Sequence, residues 1–152
     1  MPVTISPERP DSADAITLIG ELERYIKPLY PHDSEHGLTP EEMVRDGVAF
    51  FMIRSDGRPA GCGGVRLHGT EYGELMRMYV RPEYRGQGLG KLVLRHIEDY
   101  SREHGVKALR LKTGIYQPEA LSLYELHGYV LTQPFGSYRA HPLNRYYEKK
   151  MP

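Results

Sequence analysis

The sequence predicts a mixed α/β fold of α+β character, and three observations predict it. Short apolar runs separated by Asp56-Gly57 and His68-Gly69 read as an antiparallel meander between residues 48 and 80. Apolar residues at Leu89, Leu92, Val93, Leu94 and Ile97 then switch to the spacing of an amphipathic helix. Beyond it, strand-like and helix-like runs alternate. The chain reads βααβββαβαββ, an order that packs helices against a sheet.

Each element has its own signal. Val3 and Ile5 alternate with polar residues and predict a first strand. Asp11 or Ser12 can cap the following helix, whose apolar spacing runs Ile16, Ile19, Leu22 and Ile26 before Pro28 and Pro31 end it. His32 to Gly37 is polar and predicts a loop. Thr39-Pro40-Glu41-Glu42 is an N-cap, a proline at the first helical position and two acids in the first turn. The meander comprises Val48 to Ile53, Pro59 to Leu67 and Tyr72 to Val80, with Gly61, Gly63 and Gly64 marking a bulge or a close approach. The long helix closes at Gly105. Ala108, Leu109 and Leu111 predict a strand, Pro118 to Leu126 a helix ended by His127-Gly128, and Tyr129–Leu131 and Asn144–Lys149 the last two strands.

Bulk properties narrow the class. At 152 residues the chain fits a single domain, 1–152, large enough to bury a core without disulfides or metals. Twenty basic residues balance twenty acidic ones, so the broad positive field of a nucleic-acid binder is absent. No apolar run reaches membrane-spanning length, and Met1 to Pro10 has no signal-peptide core, so neither a membrane nor an export route is expected. Cys62 is the single cysteine, a usage that suits a reducing, cytoplasmic setting. Between glycines, it reads as a small buried strand residue and not as a nucleophile. His32 and His36 have ligand-like spacing but lie in a loop without a third partner, so no metal is expected.

The chemistry starts at Arg85-Gly86-Gln87-Gly88-Leu89-Gly90, a glycine-rich turn between a strand and a helix. Such turns aim backbone N–H groups and the positive end of a helix dipole at phosphate. A Walker loop is excluded, because Arg85 stands where its first glycine should be and Leu92 where its Ser or Thr should be. A dinucleotide fingerprint is excluded too: counted from Gly86 the third glycine falls on Lys91, and from Gly88 on Val93.

What remains, Arg85-x-x-Gly88-x-Gly90 after Met78-Tyr79-Val80-Arg81-Pro82-Glu83-Tyr84, closely resembles the coenzyme A motif of the GNAT family of N-acetyltransferases. Thr113-Gly114-x-x-Gln117-Pro118-Glu119-Ala120-x-x-Leu123-Tyr124-x-x-x-Gly128-Tyr129 resembles the family's second block, in the same order. The resemblance covers about Glu74 to Val130. It implies an acyl-CoA N-acyltransferase fold, with a mostly antiparallel sheet splayed between its fourth and fifth strands and helices on both faces. It also implies acetyl-CoA as co-substrate and a small-molecule amine as acceptor. A CoA-binding sensor without catalysis and a different acyl donor or acceptor, such as a protein amine, stay open; so does a homodimer.

Residue by residue, the resemblance implies that Met78, Tyr79 and Val80 meet the pantetheine arm, with Gln117 and Ala120 opposite. Arg85, Gly86, Gln87, Gly88, Leu89, Gly90 and Lys91 would cradle the pyrophosphate, and Arg81, Lys91 and Arg95 either pair with outer phosphates or form a solvated face. Gln117 replaces the family's usual asparagine. Tyr124 would protonate the departing thiolate, or else be a core tyrosine. Glu74 would take the amine proton directly or through water, or else be a solvent-facing strand residue. Acceptor contacts are expected from Tyr30, His32 and Glu35 between the first two helices, and from Phe135 and Tyr138 in the last loop. Arg77, read as lying on the strand face opposite Glu74, would pair with an acid or with an acceptor carboxylate.

Overall fold

The computed structural model describes residues 2–30 and 37–151. Seven strands and four helices follow the expected order: β1 Val3–Pro7, α1 Ala13–Ile26, α2 Pro40–Arg45, β2 Ala49–Ser55, β3 Arg58–His68, β4 Tyr72–Val80, α3 Leu89–Glu103, β5 Ala108–Gly114, α4 Pro118–Leu126, β6 Val130–Leu131 and β7 Asn144–Lys150. Two single 3-10 turns, Lys27–Leu29 and Pro82–Tyr84, were not foreseen; each carries a proline that fixes φ near its start. Ser12, not Asp11, caps α1 by accepting from the Ala15 N–H, while Asp11 pairs with Arg9. Thr39 and Glu42 form a reciprocal capping box at α2.

The sheet order is β1-β2-β3-β4-β5-β7-β6, antiparallel throughout except at β4 and β5. That parallel pair meets only at Gly73–Leu109 and Glu74–Arg110. Beyond it β4 continues to Val80 and β5 to Gly114 without pairing, so the sheet splays open. Helices α1 and α2 cover one face through Leu18, Ile19, Leu22 and Met43 against Phe50, Met52 and Cys62. Helices α3 and α4 cover the other, through Val93, Leu94, Ile97 and Tyr124 against Ile53, Val65, Leu75, Leu109 and Tyr147. Burial of some thirty apolar side chains on two faces is what holds the open sheet in shape.

One irregularity sets up the site. Cys62 pairs with Tyr79 and Gly64 with Met76, so β4 has one residue more than β3 across this stretch. The extra residue is Arg77, at φ 57°, a left-handed conformation that costs a non-glycine residue roughly 1–2 kcal/mol. The bulge reverses the alternation of the strand: Met76 packs toward α1, whereas Met78 and Val80 pack toward α3. It also overturns the expectation that Arg77 faces away from Glu74. Both side chains line the same cavity.

Candidate active site

Two cavities flank the splay. The first, about 450 Å³, lies between the end of β4, the glycine-rich turn and α4, and is lined mainly by apolar groups. Met78, Tyr79 and Val80 form one wall, Gln117, Ala120, Leu123 and Tyr124 the other, and Arg85, Gly86, Gly88, Leu89, Gly90 and Lys91 the mouth. Of the residues expected here, only Gln87 is left out; it points to solvent. Gly86 and Gly88 adopt φ of 80° and 76°, the conformation for which the turn needs glycine. Gly88 is the N-cap of α3 and brings no side chain to the helix end. The N–H groups of Leu89, Gly90 and Lys91 therefore meet no protein acceptor among the described residues, and they open on the cavity mouth.

The cationic groups around the mouth divide. Arg81 is bound to both carboxylate oxygens of Glu21, at 2.8 and 3.1 Å, and to the Pro59 carbonyl, so it is committed to α1 and not to an outer phosphate. Its guanidinium holds the Glu21 carboxyl below its usual range. Arg85 turns back, its Nε donating to the Val80 carbonyl at 3.0 Å and its guanidinium lying 5.9 Å from the Tyr25 ring centre. Lys91 stays at the mouth beside His127, whose imidazole is pushed below its ordinary value by burial and then by Lys91 and Arg95.

The second cavity, about 420 Å³, opens on the other side of the splay. Tyr30, Glu74, Arg77, Phe135 and Tyr138 all line it, joined by His68, Lys112 and Asn144, which the sequence did not single out. Glu74 is not the solvent-facing residue that strand alternation allows; it is only 9% exposed. One carboxylate oxygen accepts from the Tyr138 hydroxyl, and the other lies 3.5 Å from His68 Nε2. Phe135 is buried among Tyr72, Tyr138 and Tyr146, anchoring the last loop over the sheet. His32 and Glu35, and the His32–His36 pair, lie outside the described residues.

Met78, Gln117, Ala120 and Tyr124 line both cavities, so the two spaces meet at these side chains. Tyr124 is 5% exposed, and burial pushes its phenol well above the ordinary tyrosine value, so it keeps its proton at neutral pH. Its hydroxyl has no hydrogen-bond partner among the described residues. Gln117 is pinned: its Oε1 accepts from the Tyr30 hydroxyl at 3.2 Å and from the Gly114 N–H at 3.3 Å, which leaves its NH₂ as the available donor. Tyr30 in turn accepts from the Tyr116 N–H at 2.9 Å and stacks on that ring at 5.5 Å. Cys62 reaches the first cavity but is buried, its Sγ donating to the Arg77 carbonyl at 3.3 Å. Desolvation pushes its thiol up to about 12. It is no nucleophile at neutral pH.

The model of the acetyltransferase (GNAT) family matches residues 18–129. The chain is 39% identical over 151 residues to the IAA acetyltransferase of Azospirillum brasilense, covering 98% of both. The chain belongs to the GNAT acetyltransferase family. Among solved structures, a Klebsiella pneumoniae protein assigned to the acyl-CoA N-acyltransferases is 34% identical, with a TM-score of 0.83 and 97% coverage of each chain. The PaiA N-acetyltransferase of Thermoplasma acidophilum, solved in complex with coenzyme A, shares the fold at 21% identity, a TM-score of 0.75 and coverage of 99% and 100%. The protein is thus a GNAT N-acetyltransferase, and its sheet, splayed beyond Glu74, is the GNAT architecture. In this GNAT domain Leu22, Tyr25, Leu123 and His127 also line the first cavity. Leu22 and Tyr25 escaped the sequence reading because α1 reaches the cleft only through tertiary packing. Among the described residues, no helix is long and apolar enough to cross a membrane.

Proposed function

We propose that the enzyme transfers an acetyl group from acetyl-CoA directly to the primary amine of a small-molecule or amino-acid-like acceptor, both bound at once. The observation that carries this reading is the meeting of two separate cavities at Tyr124 and Met78. The residues of the first fit a CoA thioester: uncapped N–H groups and Lys91 at the mouth suit the pyrophosphate, and the apolar walls suit the arm. The coenzyme A complex of the Thermoplasma relative supports the same assignment. Acetyl-CoA, when bound, supplies the acetyl carbon as an activated ester of sulfur.

The chain's own groups then divide the work. Glu74, held by Tyr138 and facing the second cavity, takes the proton of the attacking amine, directly or through water. The backbone N–H of Met78, just past the bulge, donates to the carbonyl oxygen as charge develops on it. Tyr124 gives its proton to the departing sulfur. A carbon–nitrogen bond forms, a carbon–sulfur bond breaks, and each proton has a named carrier. Because Cys62 is buried and protonated, transfer without an acyl-enzyme is favoured.

Thiol release from acetyl-CoA with a panel of amines tests the reading, with calorimetry of CoA binding beside it. Gly88→Val, which forces a branched side chain into φ 76°, should weaken CoA binding by about tenfold or more. Unchanged affinity would remove the turn from the binding site. Binding without thiol release in every acceptor arm would make the protein a CoA sensor.

A further inference from the structure

Five buried side-chain polar atoms among the described residues have no hydrogen-bond partner, and three of them, His68 Nε2, Arg77 Nε and Asn144 Nδ2, belong to residues lining the second cavity. His68 Nε2 has a Glu74 oxygen 3.5 Å away, which leaves Arg77 Nε and Asn144 Nδ2; a buried donor left unpaired costs about 1–3 kcal/mol, so two around one space mark it out. Arg77 and Asn144 can only donate through these atoms.

Arg77 is the more telling of the two. Its side chain is only 9% exposed, yet the carboxylate that pairs with it among the described residues, Glu23 at 2.9 Å, is 53% exposed and screened by solvent. Its Nη2 also donates to the Leu38 carbonyl. Gly37 lies flat against the guanidinium, where a Cβ would come within 2.8 Å of Cζ, so the group is held from that side too. The fork is thus fixed by its Nη2 end while Nε remains unspent. The strained bulge at φ 57° keeps this cation in the cavity wall. Within the described lining, Glu74 can accept from an amine, while Arg77 Nε and Asn144 Nδ2 are donors that only an acceptor group such as a carboxylate can satisfy. A bare amine meets only the first; an amine that also carries a carboxylate meets both.

We propose that the acceptor is an aminocarboxylate, its amine directed to Glu74 and its carboxylate read by Arg77 Nε with Asn144 Nδ2. This rests on the acetyl-transfer reading above and narrows it to a substrate class. Arg77 and Asn144 become specificity-determining residues of the acceptor site.

The test uses matched acceptors, each amino acid against its amide and its decarboxylated amine, α- and ω-amino acids included, with thiol release at saturating acetyl-CoA. The unmodified enzyme should favour the carboxylate member by at least tenfold in kcat/KM. Arg77→Gln should collapse that ratio toward one through KM of the carboxylate member, and Arg77→Lys should restore part of it. Asn144→Leu should shrink the ratio independently, which keeps the test alive if the bulge tolerates no change at Arg77. A ratio near one or below in the unmodified enzyme, with free amines turned over, overturns the proposal and leaves the acetyl-transfer reading standing. Absence of thiol release from every acceptor overturns both.

Discussion

Replacing Gly114 by alanine should destabilise the protein through a residue far away in sequence. A Cβ at this position would overlap the hydroxyl and Cζ of Tyr30 and come within 2.7 Å of its Cε1. The ring must therefore leave its seat. Among the described residues, leaving breaks the hydrogen bonds from the Tyr116 N–H and to Gln117, each worth about 1 kcal/mol. Repacking around an inserted methyl group adds about 1–3 kcal/mol. The expected loss is roughly 3–5 kcal/mol, and each kcal/mol lowers Tm by about 2–4 °C in a domain of this size. The decisive comparison is the same change in a Tyr30→Ala background. Gly114 has no positive φ, so with the ring gone alanine should be neutral or stabilising by about 0.4–1 kcal/mol. A thermal or urea melt of the four proteins reads the coupling. Equal destabilisation in both backgrounds, or none in the first, would refute the seating of Tyr30 against Gly114.

Two further expectations follow from groups in the cleft. Tyr124→Phe should lower kcat by about 10²–10⁴ while stability stays within about 0.5 kcal/mol of the parent, because the hydroxyl is bonded to no described protein group; equal turnover would remove its proposed role as acid. Cys62 should resist alkylation in the native protein at pH 8, where a thiol pushed up to about 12 is ionised in roughly one molecule in ten thousand. Since its folded value exceeds the unfolded one, this group's contribution to stability is full below pH 9 and lost as the pH rises toward 12. Rapid stoichiometric labelling of the folded chain would contradict its burial.

What could be read from the sequence was whatever short spacing carries. Thr39 and Glu42 are a capping box written within four residues, and the glycines at 86 and 88 declare their own positive φ. The boundaries of β4 and α4 coincide with those expected, because each is bracketed by turn residues or proline. What stayed hidden was carried by long-range pairs. Nothing near Arg81 announces that Glu21, sixty positions earlier, will take its guanidinium. Likewise Glu74 looked as suited to solvent as to catalysis until Tyr138, sixty-four positions later, closed over it. Leu22 and Tyr25 look like ordinary helix positions, and only the docking of α1 across the splay brings them to the cleft.

The bulge at Arg77 is the one hidden feature on which the rest depends. Along the sequence Glu74, Met76, Met78 and Val80 keep a strict alternation, so a regular strand would send all four to one face and Arg77 to the other. Adding one residue divides them: Glu74 and Arg77 serve the second cavity, Val80 serves the first, and Met78 stands where the two meet. The partner strand is shaped to permit it. A Cβ at Gly61 would come within 2.6 Å of the Tyr79 carbonyl, and one at Gly63 within 2.5 Å of Met78 Sδ and 2.8 Å of Val93. The glycines of β3 are therefore the visible half of a device whose other half, in β4, carries no local mark. A single strand can present a carboxylate to one cavity and its later residues to the other because it changes face between them.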